Sequence, residues 1–338
     1  MNDLISNISE NWEVAKIYFE QNIWYWYSLN ILLGMCFASC IGLIVARWPA
    51  KMKYEEDLMF VNYWEEKGED LNNEHYLACK KNIEKKPDGF FFPGSRCDSC
   101  GHDLKLWHNI PIIGWISLGG KCAFCKTKIP FSVLGAEILG GAIGFIVAFL
   151  IGEVSFYTFM WLVIAAYISA VSWLDWKTLY LPTASLCYFT FVIFLLSFQN
   201  LNGSFIPTVE QSLAGAMTGF ATLFIINEGY YLIRGIKGFG EGDYYLLGAL
   251  GACLGVEKII STIIISIFVG VILYILVSIF NIITKKEKSE DGKIDLSNNK
   301  ITSVDEKTAM PFGPSISIAS LITVILFKFE IIQHYFIM

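Results

Sequence analysis

Charge is scarce in this chain. Asp, Glu, Lys and Arg make up 17% of its 338 residues against 54% hydrophobic ones, and the mean hydropathy is +0.51. A soluble domain carries more charge and shorter apolar runs, so this balance excludes an ordinary soluble protein and places the chain among multi-span membrane proteins. A basic stripe with interleaved aromatics is also missing, which argues against nucleic acid as a partner. There is no Walker-type loop, no Gly-x-Gly-x-x-Gly, no Ser-x-Gly elbow, no His-Glu-x-x-His and no convincing internal repeat. Phosphate-loop, dinucleotide, serine-hydrolase and zincin chemistries therefore lack their motifs. The N-terminus lacks the basic region of a secretion signal: its first 26 residues hold Asp3, Glu10, Glu13 and Glu20 against Lys16 alone. The expectation is that it is not a cleavable signal peptide.

What remains is apolar length. Runs near 20 residues cross a hydrocarbon core as helices, and eight are expected: 27–46, 132–151, 154–173, 180–199, 212–234, 244–256, 258–283 and 312–330. Trp24, Tyr25, Trp26 and Tyr27 read as an interfacial anchor for the first. With the N-terminus outside and the spans alternating, the inside segments 47–131, 174–179, 234–243 and 284–311 hold 22 of the 25 Lys and Arg; Lys16, Lys258 and Lys328 fall outside. Basic residues concentrate on the cytoplasmic side, so this orientation is the expected one. The layout is 1–26 extracytoplasmic, 27–46 the first span, 47–131 a cytoplasmic domain, and 132–338 a seven-helix membrane domain with a cytoplasmic loop at 284–311. The fold class is an all-α polytopic membrane protein.

Ala46-Arg47-Trp48-Pro49 reads as the exit of the first span. Beyond it, Tyr54, Leu58, Val61 and Trp64 have the spacing of a surface helix, most simply a solvated one. Cys97-x2-Cys100 and Cys122-x2-Cys125, 21 residues apart, then form two tight knuckles whose four thiolates suit a tetrahedral structural zinc. Two disulfides or a redox dithiol are the alternatives. Four Cys ligands leave no open position for a catalytic metal. Between the pairs, Asn109 to Trp115 gives an apolar patch that rests either on the membrane or on the spans. Cys36, Cys40, Cys187 and Cys253 read as small core residues, and Cys79 is unassigned. Glu137, one turn into the second span, is expected to face the bundle interior, in a structural role or at the site.

Two further carboxylates carry chemistry. Gly238-Phe239-Gly240-Glu241-Gly242-Asp243 places an acid among three glycines at the mouth of a short apolar helix, which suggests a helix starting inside the protein. Asp243 also reads as an N-cap, a common role for Asp. Asp175, in Leu174-Asp175-Trp176-Lys177 at the end of the third span, falls at the same face and depth as Asp243. Two carboxylates that meet within about 3 Å share one proton: the ionised one activates water and the protonated one polarises a peptide carbonyl. That is the requirement of aspartic peptide hydrolysis. Two independent loop aspartates are the alternative. Asn227 and Glu228 in the fifth span are unranked supporting groups.

In their order these motifs resemble the type IV prepilin peptidases, bifunctional leader peptidase/N-methyltransferases of pilus and type II secretion systems. Gly34 to Pro49 is similar to the family's first-span motif, and Cys97 to Cys125 around Asn109-Ile110-Pro111 to its four-cysteine domain. Leu174-Asp175 through Leu181-Pro182 resembles the first aspartate motif, Gly240 to Leu247 the Gly-x-Gly-Asp motif, and Pro311-Phe312-Gly313-Pro314 the last-span entrance. Thr183, Lys177 and His108 depart from the usual acids, and Ser132-Val133-Leu134 from the usual Arg-Tyr-Pro. The resemblance implies cleavage of a basic leader from prepilins and pseudopilins at the inner face of the plasma membrane, with Asp175 and Asp243 catalytic. It also implies methylation of the new N-terminus with S-adenosylmethionine. It assigns no oligomeric state. A transporter, or a thiol oxidoreductase using its CxxC pairs, is the rival reading.

Overall fold

The computed structural model describes residues 2–68, 73–89, 94–97, 99–198, 207–290 and 311–329. Its chain divides into two compact units, Met1–Ala170 and Val171–Met338. The described residues are helical, with two isolated β-bridges. Most of the expected loop 284–311 lies outside them.

The first unit opens with α1 (Asn2–Gln21) and then α2 (Ile23–Lys67), a single helix of 45 residues. Here the structure departs from the sequence reading: α2 does not stop at Arg47-Trp48-Pro49. It continues through Pro49, at the cost of one ladder hydrogen bond, to Gly68, whose left-handed φ of 67° ends it. The extension is held from outside. Val61, buried, packs on Tyr76 and Cys79 of α3 (Glu74–Ile83), with Phe60 and Trp64 alongside, so the expected solvated face is instead a small core. The Arg47 guanidinium donates to the carbonyls of Gly89 and Gly94 at 2.9 and 3.0 Å, tying the polar segment back to the rod.

Within this unit, α2 crosses α5 (Phe131–Ile151) almost without side chains between them. A Cβ on Gly34 would lie 2.2 Å from the Gly140 carbonyl oxygen, and one on Gly144 2.1 Å from that of Asn30. Small residues at such a crossing replace the hydrophobic effect, absent in lipid, with close backbone packing. Trp26 is buried against Ala148 and Val154, while Trp24 and Tyr25 stand exposed as an anchor would. Cys36, Cys40 and Cys187 are exposed on helix surfaces, contrary to the core role expected of them; Cys253 and Cys79 are buried.

α6 (Phe156–Thr178) enters the second unit from Val171 onward. There α7 (Thr183–Ser197), α8 (Val209–Arg234), α10 (Val256–Glu290) and α11 (Gly313–Lys328) accompany α9 (Glu241–Leu254). α9 is buried on nearly every face, with Leu246, Leu247 and Ala249 wholly inaccessible. A helix apolar all round is a buried one, and α9 does start inside the protein. Each of the eight expected stretches is thus helical. Five of the helices are long and apolar enough to cross a membrane; α7 and α11 are shorter apolar helices.

Candidate active site

The second unit brings Asp175 and Asp243 to one locality. Asp175 sits in the last turn of α6 and is 4% exposed; Asp243 sits in the first turn of α9 and is 6% exposed. Leu179, at a φ of 54°, ends the α6 helix just beyond Asp175. The N-cap of α9 is Gly240, not Asp243 as one reading had it. Asp243 is the third helical residue, and its Oδ2 reaches back to accept the Gly240 N–H at 3.1 Å, the second half of a capping box. The carboxylate of Asp175 is held in the same manner from further away: its Oδ2 accepts the N–H of Gly313 at 2.8 Å, across 138 residues of sequence.

Two contacts join these two arrangements. The rings of Phe239 and Phe312, each preceding the glycine that donates to an aspartate, lie 5.2 Å apart. A Cβ on Gly242 would stand 2.4 Å from the Leu181 Cβ, so glycine at 242 lets the turn after Asp175 close directly onto the start of α9. A Cβ on Gly313 would stand 2.7 Å from Asp175 Oδ2, which reserves that position for glycine as well. The two carboxylates accordingly lie within Coulombic reach of one another. One turn before Asp175, Ser172 hydrogen-bonds Ser317 and fastens α6 to α11.

Asn227, unranked in the sequence, proves central to this geometry. It is wholly buried on α8, and its Oδ1 accepts the N–H groups of Gly238 and Phe239 at 2.8 and 2.9 Å. Its Nδ2 donates to the Phe239 carbonyl at 3.3 Å and to the Tyr244 hydroxyl. One amide thus clamps the Gly-Phe-Gly loop from both sides. Its buried polarity in an apolar run was the available signal. Glu228 is half-buried and contributes to the field around Lys237, which pairs with Glu241 at 2.5 Å.

In the first unit, the Sγ atoms of Cys97, Cys100, Cys122 and Cys125 all lie within 4.8 Å of one another, with Cys97 and Cys125 3.7 Å apart. Tetrahedral Zn–S bonds of about 2.3 Å set sulfurs roughly 3.8 Å apart, so the donor set fits zinc. The two knuckles repeat one backbone pattern. Cys97 N–H donates to the His102 carbonyl and Cys122 N–H to that of Thr127; Gly101 and Lys126, each following a second cysteine, take left-handed φ of 70° and 60°. Hydrogen bonds with Thr127, side chain first and backbone second, hold the Cys125 thiol down at about 6. The thiolate is the form that binds metal. Glu137 leaves this site alone: its carboxylate accepts the Ile112 N–H at 2.7 Å, pinning the Asn109–Trp115 segment, strained at Ile112 with φ 63°, onto α5.

Against known proteins, residues 32–151 match the Bacterial Peptidase A24 N-terminal domain and residues 159–275 the Type IV leader peptidase family. A prepilin leader peptidase/N-methyltransferase of Neisseria gonorrhoeae is 30% identical over 235 residues, covering 70% of this chain and 79% of that protein. Proteins of the same name from Stutzerimonas stutzeri and Pseudomonas aeruginosa are 26% and 27% identical over 299 and 301 residues. They cover 87% and 88% of this chain and 89% of each relative. No solved structure matches the chain. With its buried acid pair, its knuckle domain and these relatives, the chain belongs to the type IV leader peptidase family.

Proposed function

We propose that this chain is a membrane aspartic endopeptidase that removes the basic leader of type IV prepilins and pseudopilins and then N-methylates the new N-terminal residue. One observation carries the peptidase reading: two buried carboxylates, each fixed by a glycine N–H, with the two glycine loops joined through Phe239 and Phe312. Asp175 and Asp243 share one proton. The ionised member takes a proton from water, whose oxygen attacks the scissile carbonyl carbon. The protonated member donates a hydrogen bond to the carbonyl oxygen as charge develops there. Collapse of the tetrahedral species returns a proton to the leaving amine. The glycine N–H groups spare one oxygen of each carboxylate for this work and hold both acids in place, so little reorganisation accompanies the step.

The orientation is N-terminus outside, with residues 1–26 extracytoplasmic and 47–131, 174–179, 234–243 and 284–311 cytoplasmic, in the bacterial inner membrane. Residues 27–46 form the first span and 132–338 the seven-helix catalytic domain. Cys97, Cys100, Cys122 and Cys125 hold one structural zinc. S-adenosylmethionine supplies an electrophilic methyl carbon when bound. In the first unit the buried His108 Nδ1 and Trp115 Nε1 have no partner among the described residues. With the nearby Glu137 carboxylate they are the groups suited to hold such a polar donor. Purified enzyme incubated with a basic-leader prepilin, with and without S-adenosylmethionine, tests the reading. Cleavage is expected in both and a methylated product only with the donor; an intact prepilin in both overturns it.

A further inference from the structure

The first unit exposes apolar side chains where a polar domain would hide them. Ile113 and Ile116, three apart on one side of the short helix Ile113–Ser117, are 62% and 63% exposed. Trp107, Ile110 and Phe124 are exposed as well. His108 ties these residues into one surface. Its ring lies 6.0 Å from that of Trp107 and 6.5 Å from that of Phe124, and a Cβ on Gly114 would stand 2.2 Å from its carbonyl oxygen. Contiguous exposed apolar surface marks an interaction site.

Its depth follows from α5. The 21 residues of α5 span about 31 Å, against about 30 Å for a hydrocarbon core, so this helix crosses with no turn to spare. Glu137, on its second turn, accepts the Ile112 N–H. Side chains lean toward the start of their helix, so Ile112 lies beside the first two turns of α5 and not beyond them. The Trp115 and Phe131 rings, 6.2 Å apart, hold the segment against the first residue of α5. The Ile112 backbone thus faces α5, while Ile113 and Ile116 stand exposed at the level where a leaflet begins.

Charge identifies what covers them. From Leu104 to Ala136 there is no Asp or Glu, and Lys105, Lys121, Lys126 and Lys128 are all exposed, none in an ion pair among the described residues. Lys121 and Lys128 face each other across a β-bridge, a like-charge pair that costs stability unless an anion joins it. The Lys105 Nζ stands 5.1 Å over the Trp107 ring, which puts a cation at the edge of the apolar face. Aromatic rings and long basic side chains beside apolar ones suit the headgroup region of a bilayer. Lysines without a nearby carboxylate select an anionic partner and repel a basic one, the leader of a prepilin included.

We infer that this face is immersed in the leaflet that α5 enters, with the Ile113–Ser117 helix at the acyl boundary and the four lysines bound to anionic lipid headgroups. Each lysine near an anionic surface is worth roughly fivefold in affinity, and salt weakens the attraction.

The test uses the full-length protein in nanodiscs of phosphatidylcholine with a minor share of phosphatidylglycerol. A photoreactive benzophenone amino acid replaces Ile113, and its crosslinked products are read by mass spectrometry. The same probe at Leu139, on the exposed side of α5, reports lipid contact; at Met59, on the far half of α2, it reports the lack of it. Lipid adducts at position 113 are expected at the level of the position 139 probe, enriched several-fold in phosphatidylglycerol over the bulk ratio and less so in high salt. Glutamine at all four lysine positions should return the adducts to the bulk ratio. Arginine at the same four should keep the enrichment, which separates lost charge from a disturbed knuckle. Lipid adducts at 113 no more frequent than at 59, or crosslinks to a second protein chain in their place, overturn the immersion. Adducts of bulk composition in the native protein, or an enrichment that survives the glutamine variant, overturn the role of the lysines.

Discussion

Replacing Gly242 with alanine places a methyl carbon 2.4 Å from the Cβ of Leu181 and 3.1 Å from its Cδ1. Ordinary contact begins near 3.4 Å, so the start of α9 and the turn after α6 must part by about 1 Å. Asp243 is the next residue on one side, and Asp175 lies one short turn away on the other. The separation therefore falls between the two acids rather than being absorbed elsewhere. A misplacement of about 1 Å at reacting groups costs on the order of a hundredfold in rate, or roughly 2.7 kcal/mol of activation free energy. Initial rates of prepilin cleavage by purified enzyme measure it, with circular dichroism to show that the helices persist. Removing the opposing Cβ with Leu181→Gly should restore at least part of the loss in the double variant, although it weakens the single one. If Gly242→Ala cleaves within about threefold of the native enzyme, the close approach is not what sets the acid pair.

Asn227→Leu strands the N–H groups of Gly238 and Phe239, at about 1–3 kcal/mol for each left unsatisfied. Cleavage should fall by roughly tenfold or more while the fold survives; unchanged kinetics would remove Asn227 from the positioning role. Metal analysis should find about one zinc per chain. Cys97→Ser should reduce it and make the 94–130 segment sensitive to protease, whereas metal-free protein with a readily cycled disulfide would favour redox chemistry. On the α2–α5 seam, Gly34→Leu drives a side chain into the Gly140 carbonyl and should lower the unfolding temperature in detergent, by overpacking worth about 1–3 kcal/mol or more. An unshifted midpoint would show that the seam is looser than described.

The features readable from the sequence were those fixed by hydropathy and local chemistry. Apolar run length located a helix at each of the eight expected stretches, and the shortness of 244–256 with its glycine entrance marked α9 as starting inside. CxxC spacing foretold the four-thiol cluster, because each knuckle is a local structure. The expectation that Asp175 and Asp243 meet needed only the count of spans, and the two acids do lie within Coulombic reach of one another. What escaped the reading was tertiary. α2 runs through Pro49 because α3 packs on its far half, a contact no local signal announces. The donor to Asp175 is Gly313, far along the chain, and nothing in Pro311-Phe312-Gly313-Pro314 indicates which acid it meets. Asp243 reads as an N-cap from sequence although Gly240 takes that place and Asp243 stands three residues on, because Asp is favoured both at the cap and in the first turn. Asn227 was visible but unranked, since an amide in a span states only that some partner exists.

The central claim is that Asp175 and Asp243 work together on a peptide bond. Asp175→Asn and Asp243→Asn preserve shape and keep one side-chain oxygen to accept the glycine N–H while removing the acid, and each purified variant can be assayed against the same prepilin. The account predicts that cleavage is abolished in both, with helix content and zinc unchanged. Cleavage retained by either folded variant would contradict it.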